Sequence, residues 1–202
     1  MIDIKTNISD FMEEQKICVK KLSSLEKILV EIIQILVQKR DQGKNIILFG
    51  NGGSASTSSH FVSDLLKTSI TEGSKRFKAI SLVDNIPVST AWSNDVSYND
   101  VFVEQLKNFI DSGDLIIVFS GSGKSKNVIK AMKYAKKSNA TVIGFTGMTG
   151  GLFPEICDIC HITPSNDMLT IESIHLMLCH CIISTLRKFG TPQFKYEYQK
   201  KY

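Results

Sequence analysis

An apolar run, Ile46-Ile47-Leu48-Phe49, breaks directly into Gly50-Asn51-Gly52-Gly53-Ser54 and continues into a segment that ends at Asp64. A strand, a glycine-rich turn and a helix in immediate succession leave few folds open. Glycines let the backbone reach positive φ and put no Cβ in the way, so amide N–H groups and the Ser54 hydroxyl can converge on an anion at the helix N-terminus. One turn further on, His60 and Asp64 are spaced i,i+4 and share a helix face. A phosphate cradle with an imidazole and a carboxylate beside it points to chemistry on a small phosphorylated molecule.

The remaining pattern supplies the frame. Residues 3 to 20 carry Ile4, Ile8, Phe11, Met12, Ile17 and Val19 at roughly helical spacing, and a second helix is expected from Ser23, where Ser23-Ser24-Leu25-Glu26 resembles a capping box. Its stripe of Leu25, Ile28, Leu29, Ile32, Ile33, Leu36 and Val37 ends at Gly43 and is wide for a helix on one sheet, which predicts that the N-terminal helices also pack against another subunit; the alternative is a thick intrachain core. Strands are expected over 77–81, 114–119, 141–146 and 159–163, with helices through Trp92, over 98–110, through Lys137 and over 168–189. The third strand is apolar throughout, which suits a central position in a parallel sheet. Strands alternating with helices through right-handed crossovers predict an α/β, doubly wound, open parallel sheet. Neither a repeat nor a Pro-rich boundary divides the chain, which reads as one domain: helices over 1–43, an α/β core over 44–190 and a tail over 191–202.

Composition narrows the class. The chain has 202 residues, 43% of them hydrophobic, enough for a sizeable core. Its net charge of +4 is spread among interspersed acids and bases, so no nucleic-acid partner is expected. The charged, amphipathic N-terminus lacks a signal core and no run suggests a membrane span, which predicts a soluble cytoplasmic protein. Five cysteines, an odd number, read as reduced thiols. Cys157-Asp158-Ile159-Cys160-His161 matches a haem-attachment string but sits in a strand-like segment, and no second C-x-x-C completes a structural zinc site.

A second turn, Ser120-Gly121-Ser122-Gly123-Lys124-Ser125, follows the third strand. It looks like the end of a Walker A loop, yet the glycine that loop needs at 118 is Val118. What remains is a hydroxyl-rich turn at a helix N-terminus, where Ser120, Ser122 and Ser125 can donate to phosphate oxygens. Two such turns belong at the carboxyl edge of one sheet, where open α/β sheets bind ligands.

Together, G-N-G-G-S-A at 50–55, H-F-x-x-D at 60–64, Ser93-Asn94-Asp95, the S-x-S-G-x-S turn at 120–125, Thr146-Gly147 with Gly150-Gly151, and Glu172 with His175 and His180 resemble the sugar isomerase (SIS) domain family. The resemblance runs from about residue 25 to 188 and implies an SIS-type, flavodoxin-like sheet. It implies an aldose–ketose isomerase of a sugar phosphate, with sedoheptulose 7-phosphate as the nearest substrate. Another phosphosugar, or a non-catalytic role in binding phosphosugars or proteins, stays open as an alternative. By the same resemblance Asn51, Gly52 and Gly53 line the sugar site beside the anion-binding Ser54; Asn94 and Asp95 meet substrate hydroxyls, and Ser120, Gly121, Ser122 and Ser125 hold the phosphate. His60, Asp64, Glu172 and His180 match metal and acid–base positions, where zinc is found in some members, and homotetramers with sites at subunit interfaces are implied. The chain departs from the pattern where glutamate gives way to Asp64, glutamine to Glu172, threonine to Gly121 and arginine to Thr170.

Moving a proton between C1 and C2 through an enediol needs a base, an oxygen-side acid and stabilisation of the developing oxyanion. Asp64 or Glu172 is the expected base, also serving with substrate binding in the case of Glu172, and His180 the acid. Glu172 and His180 stand eight residues apart, about 12 Å along a helix. Either the last helix starts after Glu172 or a neighbouring subunit supplies one of the two. His175 is expected to be a packed core histidine, His161 to lack a partner, and Lys124, Lys126, Lys133, Lys136 and Lys137 to form a solvated face.

Overall fold

The structure, a computed structural model, describes residues 3–22 and 26–194. The proposed capping box at 23–26 and Leu25 of the second stripe fall largely outside them, as does most of the tail. Helices α1 (Ile4–Lys21) and α2 (Glu26–Asp41) precede β1 (Asn45–Phe49) and α3 (Gly53–Ser63), which runs on as a π-helical turn, Asp64–Thr68. Then come β2 (Lys78–Ser81), α4 (Ile86–Asp95), a 3₁₀ turn (Tyr98–Asp100), α5 (Val101–Lys107), β3 (Leu115–Ser120), α6 (Lys126–Lys137), β4 (Thr141–Thr146), α7 (Phe153–Ile156), β5 (Ile159–Ile162) and α8 (Met168–Leu186).

The four strand pairings of the sheet are parallel and the strand order is β2-β1-β3-β4-β5. β1 and β3 are neighbours, and from β1 the chain leaves toward β2 on one side before β3 returns on the other. The crevice between their carboxyl ends is where such sheets bind ligands. Alternation within each strand separates two cores. Ile46, Leu48, Ile117, Phe119 and Phe145 face α1, α2, α3 and α8, whereas Ile47, Phe49, Ile116, Val118 and Val142 face α5, α6 and α7. At the amino edge the buried Asp114 accepts from the backbone N–H groups of Asn45 (2.9 Å) and Asp111 (2.8 Å), pinning β1 to β3.

Several expectations change. The segment Ser93-Asn94-Asp95, expected as a polar turn after a helix ending near Trp92, is the last turn of α4, the helix that Asn85 caps and Pro87 opens. The helix expected over 98–110 is a 3₁₀ turn followed by the shorter α5, and α7 was not anticipated. The stripe of α2 is largely covered within the chain: Ile32, Ile33 and Leu36 are buried and Ile28, Leu29, Ile35 and Val37 pack against them. The uncovered apolar face belongs to α1, where Ile4 is 71%, Ile8 62% and Met12 56% exposed. Among the described residues one helix, Met168–Phe189, is long and apolar enough to cross a membrane. Its composition reflects core packing, with Ile171, Ile174, Leu178, Ile182, Ile183 and Leu186 buried against the sheet.

Candidate active site

Both serine turns open on one cavity. β1 ends at Phe49, and Gly52 then takes φ 57°, ψ −125°, a conformation that favours glycine, so that α3 can begin at Gly53. β3 ends at Ser120 and α6 begins after Ser125. Asn51, Gly52, Gly53, Ser54, Ser120, Gly121, Ser122 and Ser125, together with Met168 and Glu172, line a space of about 250 Å³. Two helix N-termini and four hydroxyls around one small polar cavity suit a phosphate dianion. The glycine loop after β4 buttresses the second turn: Gly147 N–H donates to Gly121 O (3.0 Å) and Leu152 N–H to Gly123 O (3.0 Å).

Glu172 reaches this cavity from α8. Its carboxylate lies so close to Gly53 that a Cβ there would overlap it. Glu172 and Gly53 also border an adjoining space of about 270 Å³, with Ser56, Thr57, His60, Ser173 and Leu176. His60 in turn faces His180 and Asp64. The two imidazole Nε2 atoms are 3.1 Å apart, and each is near Asp64 Oδ2, at 3.6 Å and 3.8 Å. Thr68, one π turn on, donates to Asp64 Oδ1 (2.8 Å) and holds the carboxylate in place.

These three donors fit a divalent ion. Tetrahedral zinc with bonds of ~2.0–2.1 Å separates its ligand atoms by about 3.4 Å, close to the three distances found here. Two imidazoles and a carboxylate are also a suitable donor set. Glu172, expected in the same set, stands outside this cluster. Because α8 is continuous from Met168, the alternative in which the helix starts after Glu172 is excluded.

Other expected residues fall as follows. Asn94 and Asp95 are exposed on α4, bonded to each other (2.8 Å), and do not line the serine cavity. His175 is a buried core histidine: one ring nitrogen bonds Thr146 O at 3.1 Å, and burial lowers its pKa to about 4. His161 does have a partner, Thr163 Oγ1 at 3.0 Å, and burial with the neighbouring His175 lowers its pKa to about 4 as well. Cys157 and Cys160 are free thiols that pack against the second core, and the neighbouring Cys160 together with burial pushes the Cys157 thiol up. Thr170, where the resembling family has arginine, is buried and accepts from Gln15 Nε2 of α1 at 2.7 Å.

Sequence reasoning missed three contributors. Met168 lines the cavity, and Asn127 and Tyr98 fix Asn51: the Asn51 and Asn127 carboxamides exchange two hydrogen bonds of 3.0 Å, and Tyr98 Oη donates to Asn51 Oδ1 at 2.8 Å. Asn127 left a trace, a polar side chain in register with Val128, Ala131 and Ala135 on the buried face of α6. A larger cavity, about 510 Å³, runs along the edge strand β2 past Ile80, Leu82, Val88 and Phe109, and holds neither serine turn nor imidazole.

A model of the SIS domain family matches residues 8–147. The chain belongs to the SIS domain family. Among curated relatives, the phosphoheptose isomerase of Aliarcobacter butzleri is 36% identical over 175 residues, 87% of this chain and 92% of the relative. That of Clostridium acetobutylicum is 34% identical over 185 residues, 92% and 93% of the two chains. The solved phosphoheptose isomerase GmhA of Neisseria gonorrhoeae superposes with a TM-score of 0.85 at 24% identity, covering 92% of this chain and 99% of the other, and so shares the SIS fold.

Proposed function

We propose that this SIS protein is a phosphoheptose isomerase, an enzyme converting sedoheptulose 7-phosphate to glycero-manno-heptose 7-phosphate through an enediol. The observation that carries the reading is that the cavity of the two serine turns and the adjoining space beside His60 share Gly53 and Glu172, with His60 also part of the His60–Asp64–His180 cluster. Relatives of this name at 31–36% identity across most of the chain support it.

In this mechanism Ser54, Ser120, Ser122 and Ser125 hold the phosphate, with backbone amides of both turns adding to the field. Asn51, Gly52 and Gly53 border the sugar. The anchored chain then passes Glu172, whose carboxylate removes the C1 proton and returns it at C2. His180 serves the oxygens, donating a proton to the C2 carbonyl oxygen and taking one back from the O1 hydroxyl as the aldose forms. His60, Asp64 and His180 would hold zinc or another divalent ion, which when bound supplies Lewis-acid polarisation of a carbonyl in place of proton donation by His180. His60 and His180 are exposed in the single chain, which supports a homo-oligomer, a tetramer by the family resemblance, in which a neighbour covers the site and brings Asn94 and Asp95 to substrate hydroxyls. A cytoplasmic setting follows from the same reading.

Incubation with sedoheptulose 7-phosphate in deuterated water, with and without chelator, tests it. The wild type should form the aldose and take solvent deuterium into carbon-bound positions. Glu172→Gln should lower kcat by about 10²-fold or more, the usual scale for a positioned general base. Tight phosphosugar binding with neither product nor deuterium would instead identify a non-catalytic member.

A further inference from the structure

Asn127 and Tyr98 take no part in the proposed chemistry, yet both are committed to Asn51. Asn127 is 2% exposed, in the first turn of α6 directly after the second serine turn. Its orientation is fixed by the backbone: Val128 N–H donates to Asn127 Oδ1 at 2.9 Å, so the amide nitrogen of Asn127 must face the other way, onto Asn51 Oδ1. Asn51 Nδ2 then returns a bond to Asn127 Oδ1. Tyr98 Oη supplies a second donor to Asn51 Oδ1.

A carboxamide has two acceptor sites on its oxygen and two N–H donors. On Asn51 both acceptor sites are occupied and one N–H is used. What remains is a single N–H on a residue that lines the serine cavity.

We infer that Asn127 and Tyr98 are positioning residues that make Asn51 an obligate hydrogen-bond donor, able to meet only an acceptor oxygen of the bound sugar phosphate. The paired amides also tie the first serine turn to the start of α6, just past the second, so the donor is held in register with the phosphate site. This inference rests on the isomerase reading for its substrate. A preorganised donor costs nothing to orient when charge develops on that oxygen, and loss of one such donor typically lowers turnover by about 10²–10³-fold.

A double-mutant cycle on kcat/KM for sedoheptulose 7-phosphate tests the inference, with thermal melting to confirm that each variant is folded. Asn51→Ala should lower kcat/KM by about 10²-fold or more. Asn127→Ala should cost about tenfold or more, and Tyr98→Phe, a change at an exposed side chain with no risk to folding, a smaller factor. In the Asn51→Ala background neither second substitution should lower kcat/KM further, since residues acting through one partner are not additive. Multiplying losses, or a Tyr98→Phe variant as active as wild type, would overturn the positioning role. Inactive wild-type protein would defeat the isomerase reading itself, which is a different result.

Discussion

Gly121 and Met168 compete for one volume: a Cβ on residue 121 would overlap the Met168 sulfur, and the thioether forms part of the cavity wall. Putting back the threonine common in the family should therefore harm rather than help. Forcing extra atoms into a packed site costs about 1–3 kcal/mol, so Gly121→Thr should lower kcat/KM for the heptose phosphate by roughly tenfold. Adding Met168→Ala should recover most of it. A Gly121→Thr variant with unchanged kinetics would show that Met168 swings aside freely. In the sequence Gly121 stood out as a departure, but nothing local paired it with Met168, and Thr170 was equally unreadable until Gln15 was seen to reach it. The residues of the two turns were legible because each motif is short and continuous. Their side-chain partners were not, since they arrive from elements distant in the chain.

At the scale of elements, β5 and α8 bury two imidazoles behind the site. His161 and His175 lie with ring centres 6.4 Å apart beside Phe145, and neither Nδ1 has a hydrogen-bond partner among the described residues. Burial holds both pKa values at about 4, against 6.5 in the unfolded chain. The unfolded state thus binds more protons between these limits, and stability rises with pH across that window. It is complete above about pH 6.5 and is lost as pH falls toward 4, by on the order of 3 kcal/mol per histidine. Melting temperature followed from pH 7.5 to 4.5 should fall, and the fall should shrink in His175→Gln. Strands and long helices were readable from apolar runs and periodicity, because burial on both faces leaves a continuous signature. Short elements were not: α7 spans only Phe153–Ile156, and the polar Ser93-Asn94-Asp95 carried a turn's composition into a helix end.

For the whole molecule, the exposed face of α1 calls for a cover. Ile4, Ile8, Phe11 and Met12 recur at helical spacing on one side of α1, while Cys18 and Leu22 anchor its other end to the core. On the proposed reading a second copy covers that face. Light scattering coupled to size exclusion should give an oligomer, and Ile8→Glu with Met12→Glu should shift it to smaller species with a parallel drop in turnover. Full activity in a monomeric variant would contradict a shared site. One helix carries both Glu172, at the mouth of the serine cavity, and His180, two turns beyond, with a separation of about 12 Å set by helical rise alone. That makes α8 a gauge of carbon-chain length. A phosphate ester seated in the two turns must extend past the carboxylate to come near the imidazoles, so a triose or tetrose phosphate should occupy the anchor, compete with the heptose and leave unchanged.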